Sequence, residues 1–329
     1  MIDAESRPPP HDHGDHGRPV IAIVGPTAAG KTALSLALAH RLGGEVVNAD
    51  SMQLYRGMDI GTAKLRPDQR EGIAHHALDL WEVTEPASVA EYQLLARAAI
   101  DDVRARGRTA LLVGGSGLYV RAVLEQFEFP GTDGGLRAQL EAELAEIGPA
   151  RLHARLVERD PEAAARILPS NGRRIVRALE VIELTGRPFE AALPDPTPYY
   201  RAVHIGVDQD PATLDQRVAT RVDLMWDLGL VDEVRDLEQR GLRRGRTASR
   251  ALGYQQVLRH LAGECSLAQA RAETVQATRR FIRRQRSWFR RDPRIAWLDG
   301  TAGDLTERAL ALAAAAGGTA AGASAAGAP

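Results

Sequence analysis

Gly25-Pro26-Thr27-Ala28-Ala29-Gly30-Lys31-Thr32 is the stretch whose residue types and spacing point most directly to chemistry. It matches G-x-x-x-x-G-K-[ST], follows an apolar run that reads as a strand, and opens a stretch with helical spacing, which is the context the motif requires. Glycines in such a loop let backbone N–H groups turn inward on a diphosphate, and the helix N-terminus behind them adds partial positive charge. Lys31 supplies a point charge, and the Thr32 hydroxyl is placed to ligate Mg²⁺. The pattern specifies a diphosphate rather than a reaction.

A hydrolase or kinase with this loop usually ends a later strand in an acidic residue that helps to hold Mg²⁺. Here Leu111-Leu112-Val113 runs instead into Gly114-Gly115-Ser116-Gly117. The carboxylate comes earlier, at the end of Val46-Val47-Asn48-Ala49-Asp50. In an open parallel sheet the carboxyl ends of the strands line the ligand crevice, which would set Asp50 beside the phosphate loop. Capping of the following turn is the other reading of an aspartate there. Lys31 and Lys64 are the two lysines among 42 basic residues, the rest being arginine. Where arginine has replaced lysine so widely, the two that remain mark positions suited to a compact ammonium rather than a planar guanidinium.

The elements that must position these residues follow from hydrophobic periodicity. Short apolar runs alternate with helical patterns, the signature of an α/β fold with a parallel sheet. Strands are expected at Val20–Val24, Glu45–Asn48, Thr109–Val113, His204–Val207 and Ile295–Leu298. Helices are expected at Lys31–Leu42, Val89–Arg106, Leu118–Gln126, Ala212–Arg240 and Leu267–Arg290. Residues 129–198 change character, becoming rich in arginine and glutamate with helical spacing, and Pro188, Pro194, Pro196 and Pro198 close the stretch. They read as a helical insertion in a core formed by 19–128 and 199–300. Residues 1–18 read as a disordered arm whose His11, His13 and His16 have no fixed geometry for a metal. Residues 301–329 read as a partly disordered tail, flexible from 314 onward.

Composition narrows the function classes. With 44% apolar and 26% charged residues, the chain has the balance of a soluble globular protein. No run is long and apolar enough for a membrane span, and no secretory signal is visible. Cys265 is the single cysteine, which excludes a disulfide framework and a cysteine-rich zinc site and makes the reducing cytosol the expected compartment. A net charge of −1 argues neither for nor against nucleic acid, but its distribution does. Residues 279–294 carry eight arginines and one acid. Phe281, Gln285 and Trp288 share one helical face, with Ile282 and Phe289 beside it, while Arg279, Arg283, Arg286 and Arg290 form a separate stripe. A helix with one anchored face and one arginine face suits a phosphate backbone, although a charge run is often only a solvated face.

Taken together, these motifs resemble the tRNA dimethylallyltransferases, the tRNA isopentenyltransferase family. The resemblance rests on Gly25–Thr32 and on the run Asp50-Ser51-Met52-Gln53-Leu54-Tyr55-Arg56-Gly57-Met58-Asp59-Ile60-Gly61-Thr62-Ala63-Lys64. His75-His76-Ala77-Leu78-Asp79, Gly114–Tyr119, Arg173-Arg174-Ile175-Val176-Arg177-Ala178-Leu179-Glu180-Val181 and Arg250-Ala251-Leu252-Gly253-Tyr254 follow in family order. Ala29 departs from the family, which commonly has serine there; because backbone does most of the cradling, little consequence is expected.

The resemblance implies a P-loop kinase-like core with a helical tRNA-binding insertion and C-terminal helices. It further implies that Gly25–Thr32 grips the diphosphate of dimethylallyl diphosphate with Mg²⁺. The acceptor would be N6 of adenosine 37, beside the anticodon, in tRNAs that read codons beginning with U. The counterpart of Asp50 is the general base and binds the flipped adenine; that of Ser116 contacts substrate; that of Arg250 belongs to the diphosphate site, with Lys31. Segments matching Asp50–Gln53, Arg173–Arg177 and Arg250–Gln255 touch tRNA, as does Arg137. Arg283, Arg286 and Arg290 are added from the charge pattern, and the chain is expected to act as a monomer. A P-loop small-molecule kinase, an adenylate isopentenyltransferase acting on free AMP or ATP, and a non-enzymatic RNA-binding module are the rival readings. The first leaves Asp50–Lys64 unexplained, the second has little use for RNA-facing arginines, and the third leaves Asp50 and Lys31 without a role.

Overall fold

The computed structural model describes residues 18–190 and 196–318. The expected N-terminal arm, apart from Arg18, and the last eleven residues of the expected tail lie outside them. The chain divides into two units, one running to Glu125 and resuming at Pro198, the other spanning Gln126–Thr197.

The first unit is built on six parallel strands: β1 (Val20–Val24), β2 (Gly44–Asn48), β3 (His75–His76), β4 (Thr109–Gly114), β5 (Ala202–Asp208) and β6 (Ala296–Asp299). Their spatial order is β3-β2-β4-β1-β5-β6. Every residue of β1 is buried, as expected of a central strand covered on both faces. Because β1 pairs with β4 on one side and β5 on the other, the chain reverses its winding there. A crevice opens above the carboxyl ends at such a switch point, and the phosphate loop leaves β1 into it. Helix α1 (Lys31–Leu42) follows, with Leu34, Leu38 and Ala39 buried against the sheet, and stops at Gly43 in the left-handed region. Helices α2 (Val89–Ala105) and α3 (Gly117–Leu124) flank β4.

Strand β3 lies outside the expected set, and two longer stretches also differ from expectation. The long helix expected over Ala212–Arg240 is two, α7 (Pro211–Asp227) and α8 (Leu230–Gln239). Gly229, at φ 94°, takes the left-handed turn between them, so an unbroken apolar period concealed a break. The stretch read as a tail contains α11 (Leu305–Gly318). Alanine is the strongest helix former, and Ala309 and Ala313 are buried in the cluster that holds Leu34 and Leu38, so low complexity here encodes a packed helix. Helices α9 (Tyr254–Leu261) and α10 (Leu267–Phe289) complete this unit.

The second unit is helical: α4 (Gly134–Arg159), α5 (Pro161–Arg166) and α6 (Gly172–Thr185). Helix α4 is interrupted at Gly148, just before Pro149. Leu140, Leu152, Leu156, Ile175, Leu179 and Ile182 form its separate core. Among the described residues, no helix is long and apolar enough to cross a membrane.

Candidate active site

The phosphate loop takes its shape from its neighbours. A Cβ on Gly25 would lie 2.1 Å from the Val207 carbonyl oxygen, so only glycine lets β1 turn this close to the end of β5. Three side chains from distant elements then tie the loop from outside. Gln285 Oε1 accepts from the Thr27 N–H at 3.0 Å, Arg217 donates to the Ala28 carbonyl at 3.2 Å, and Gln209 Nε2 donates to the Ala29 carbonyl at 2.9 Å. Gly30 has no side chain with which to cap α1, so the first-turn amides are left to an anion. The Lys31 ammonium donates to the carbonyls of Gly25 and Pro26 at 3.0 and 2.7 Å. Thr32 is exposed at the start of α1.

Asp50 follows the end of β2, and its carboxylate closes the next turn: Oδ1 accepts from the Met52 N–H at 3.0 Å. It also faces Lys31 and Arg221 electrostatically. Its backbone is locked by Asn48, whose Oδ1 accepts the Asp50 N–H and whose amide donates to the Asp50 and Ala77 carbonyls. Loss of hydration in the crevice pushes the Asp50 carboxyl above its ordinary pKa, against the pull of the Met52 N–H, Lys31 and Arg221. Burial brings Lys31 down to about 8, with Asp50 pulling it up and Arg221 pushing it down. Arg221, lowered chiefly by burial, donates to the Thr27 hydroxyl at 3.2 Å. Ser116 reaches the same place from β4: its Oγ accepts from the Ser51 N–H and donates to the Ser51 hydroxyl, both at 3.1 Å. One crevice thus holds a cationic phosphate loop and, beside it, a carboxylate whose proton affinity is raised.

Other expected site residues are placed differently. Ile175 and Val176 belong to the core of the second unit, so their side chains do not face RNA; that segment presents Arg173 and Arg174. Arg137 and Arg177 both pair with Glu180, a fully buried carboxylate that would otherwise be an uncompensated charge. Ala251, Gly253 and Tyr254 are likewise buried and Leu252 half-buried, leaving Arg250 and Gln255 exposed. Gln53 donates its amide to the Thr62 carbonyl, and Ser51 and Met52 are half-buried. On α10 the anchored face is Ile282, Gln285 and Phe289, while Trp288 is exposed. The arginine stripe divides: Arg286 and Arg290 pair with Asp208 at 3.0 and 2.8 Å and Arg279 with Asp215, whereas Arg283 is exposed. Sequence reasoning missed Gln209, Arg217 and Arg221, and read Gln285 only as an anchor. Arg217 and Arg221 are four apart on α7, a signal one helical face carries, but nothing local said which face met the loop.

The second lysine is structural. Lys64 is buried, and its three ammonium protons meet three acceptors: the Tyr55 carbonyl at 2.9 Å and Asp59 and Asp79, each at 2.6 Å. Glu233 accepts from the N–H groups of Asp59, Ile60 and Gly61 and from the Tyr254 hydroxyl, which binds the Asp59–Lys64 turn to α8 and α9.

Sheet order, the glycine-rich loop after β1 and the carboxylate after β2 define an α/β protein with a parallel sheet and a candidate phosphate-binding crevice at its carboxyl edge. The chain belongs to the IPP transferase family, whose model matches residues 53–292. A tRNA dimethylallyltransferase of Salinispora arenicola is 74% identical over 291 residues, covering 88% of this chain and 85% of that protein. One of Streptomyces coelicolor is 68% identical over 288 residues, covering 88% and 92%. Among solved structures, a tRNA isopentenylpyrophosphate transferase of Bacillus halodurans is 40% identical, with a TM-score of 0.68 over 92% of this chain and 96% of that one. A eukaryotic dimethylallyltransferase acting on tRNA is 27% identical, with a TM-score of 0.77 over 89% and 77%.

Proposed function

We propose that this chain transfers the dimethylallyl group of dimethylallyl diphosphate to N6 of adenosine 37 in tRNAs reading codons that begin with U, releasing diphosphate. The observation that supports the reading is a carboxylate just past the end of β2, Asp50, that interacts electrostatically with Lys31 of the glycine-rich loop: a base for the amine and a cradle for the leaving group.

The allylic C–O bond breaks, its electron pair stays on the diphosphate, and a C–N bond forms to N6. Charge developing on the diphosphate is stabilised by loop amides, Lys31 and Arg221, with Arg250 assigned to the same end. The N6 proton passes to Asp50, whose raised pKa makes it a better acceptor than an ordinary carboxylate. Ser116, hydrogen-bonded to Ser51, orients the adenine edge. The allyl carbon gains cationic character, so water must be kept out.

The donor set also fits Mg²⁺. Among the described residues no group of three or more His, Cys, Asp or Glu side chains could form a cage. A single hydroxyl, from Thr32, suits an ion that keeps several waters and takes its other ligands from the diphosphate. When bound, it would neutralise charge on the leaving group. Exposed Arg173, Arg174 and Arg283 favour a tRNA anticodon loop over free AMP as acceptor, and the protein acts in the cytoplasm as a monomer.

Purified protein with labelled dimethylallyl diphosphate, Mg²⁺ and either tRNA or AMP tests this directly. Label should move to tRNA and not to AMP. Label on AMP would favour the adenylate enzyme, and ATP cleavage in a parallel reaction supplied with ATP, without prenyl transfer, the kinase.

A further inference from the structure

On the prenyl-transfer reading above, we infer that Gln285 is a positioning residue that sets the spacing between the diphosphate cradle and the amine-side loop. It lies on α10 and is 5% exposed. Both ends of its amide are engaged: Oε1 accepts from the Thr27 N–H at 3.0 Å, and Nε2 donates to the Gly115 carbonyl at 2.9 Å. Thr27 belongs to the loop that would hold the leaving group. Gly115 precedes Ser116, whose hydroxyl binds Ser51, the neighbour of Asp50. A single side chain therefore links the electrophile's support to the nucleophile's. It does so above Val24–Gly114, the last sheet pair joining the two strands.

The surroundings are built to seat this residue. A Cβ on Gly115 would lie 2.3 Å from Gln285 Nε2, and one on Gly117 would lie 2.0 Å from Trp288 Nε1, so the glycines of Gly-Gly-Ser-Gly admit α10 at close range. The next residue along, Arg286, is held by buried Asp208 at the end of β5, which pins the helix on the other side of the loop. Because Gln285 takes the Thr27 N–H, that amide is not offered to the ligand, and the Ala29 N–H is taken by the Pro26 carbonyl at 3.4 Å. The geometry needs one acceptor and one donor at the end of a stem of fixed length. Glutamate lacks the donor, asparagine is a methylene short, and leucine has neither group. Displacements near 1 Å between reacting groups cost on the order of a hundredfold in rate, so a strut of this kind acts on the reaction without touching substrate.

The test compares wild type with Gln285→Leu and Gln285→Glu in single turnovers with labelled dimethylallyl diphosphate and tRNA. Prenylated tRNA and released dimethylallyl alcohol are counted separately, and rates are referred to the folded fraction. In the leucine variant the transfer rate should fall roughly 10- to 100-fold. Its dissociation constants for inorganic diphosphate and for tRNA should stay within about threefold of wild type, and a larger share of donor should be lost to water. The glutamate variant, which keeps the Thr27 bond, should lie between, and it carries the test if the leucine variant does not fold. An unchanged partition between tRNA and water overturns the inference, whatever the rate. So does weakened diphosphate binding at an unchanged transfer rate, which would make Gln285 part of the cradle's shape rather than a spacer. Wild type without any transfer would sink the reading of function first; wild-type transfer with an unaltered leucine partition sinks this inference alone.

Discussion

Replacing Asp50 with asparagine removes a charge and a proton acceptor while leaving the local frame in place. The Met52 N–H bond needs only an oxygen at Oδ1, and Asn48 grips the Asp50 backbone rather than its side chain. The fold should therefore survive, with a melting temperature close to that of wild type. Two separable effects follow. Loss of the base should lower the single-turnover transfer rate at saturating donor by about 10²- to 10⁴-fold, or roughly 3–5 kcal/mol of barrier. Loss of the charge removes the group that raises the Lys31 pKa, so Lys31 should titrate below its present value of about 8. Inorganic diphosphate should then bind the variant most nearly as well as wild type at pH 6, where more of the ammonium is present than at pH 8. At pH 8 it should bind the variant more weakly, because less of the ammonium remains. Rapid-quench transfer assays and diphosphate titrations at the two pH values measure these effects. A transfer rate within threefold of wild type refutes Asp50 as the base. A diphosphate affinity ratio that does not change with pH refutes its coupling to Lys31.

Further outcomes follow from the same geometry. With Lys31 at about 8 in the free protein, a bound polyanion restores its proton, so diphosphate binding at pH 8 should take up roughly half a proton more than in Lys31→Gln; calorimetry in buffers of different ionisation enthalpy measures the difference. Because the Asp50 pKa is raised, the transfer rate should fall on the acid side at a higher pH than an unperturbed aspartate would give, and that limb should vanish in Asp50→Asn. Lys64→Arg should destabilise the protein by about 2–3 kcal/mol in urea unfolding: the site is buried and offers three acceptors around one point charge, although Asp59 and Asp79 are half-exposed, which reduces the cost. Arg283→Ala should weaken tRNA binding several-fold and lower the salt dependence by about one ion, leaving diphosphate affinity unchanged, as filter binding across a salt series would report.

By itself, the sequence determined what depends on near neighbours. The phosphate loop, strand β1 and helix α1 were legible because a glycine pattern, an apolar run and a capping glycine act within a few residues of one another. Asp50 was legible at the end of a strand because a parallel sheet delivers strand ends to one edge. Tertiary structure decided which of many similar side chains serve the site. Arg283 and Arg286 are alike in composition and spacing, yet Arg286 is paired because β5 brings Asp208 beneath it, while Arg283 faces outward. Arg137 and Arg177 look like an RNA surface until Glu180 is seen buried between them. Gln285, 258 residues from Thr27 along the chain, gives no local sign of its partner. A hydrogen bond or ion pair is made by whatever lies within about 3 Å, and separation along the chain carries no information about that distance once strands and helices have packed.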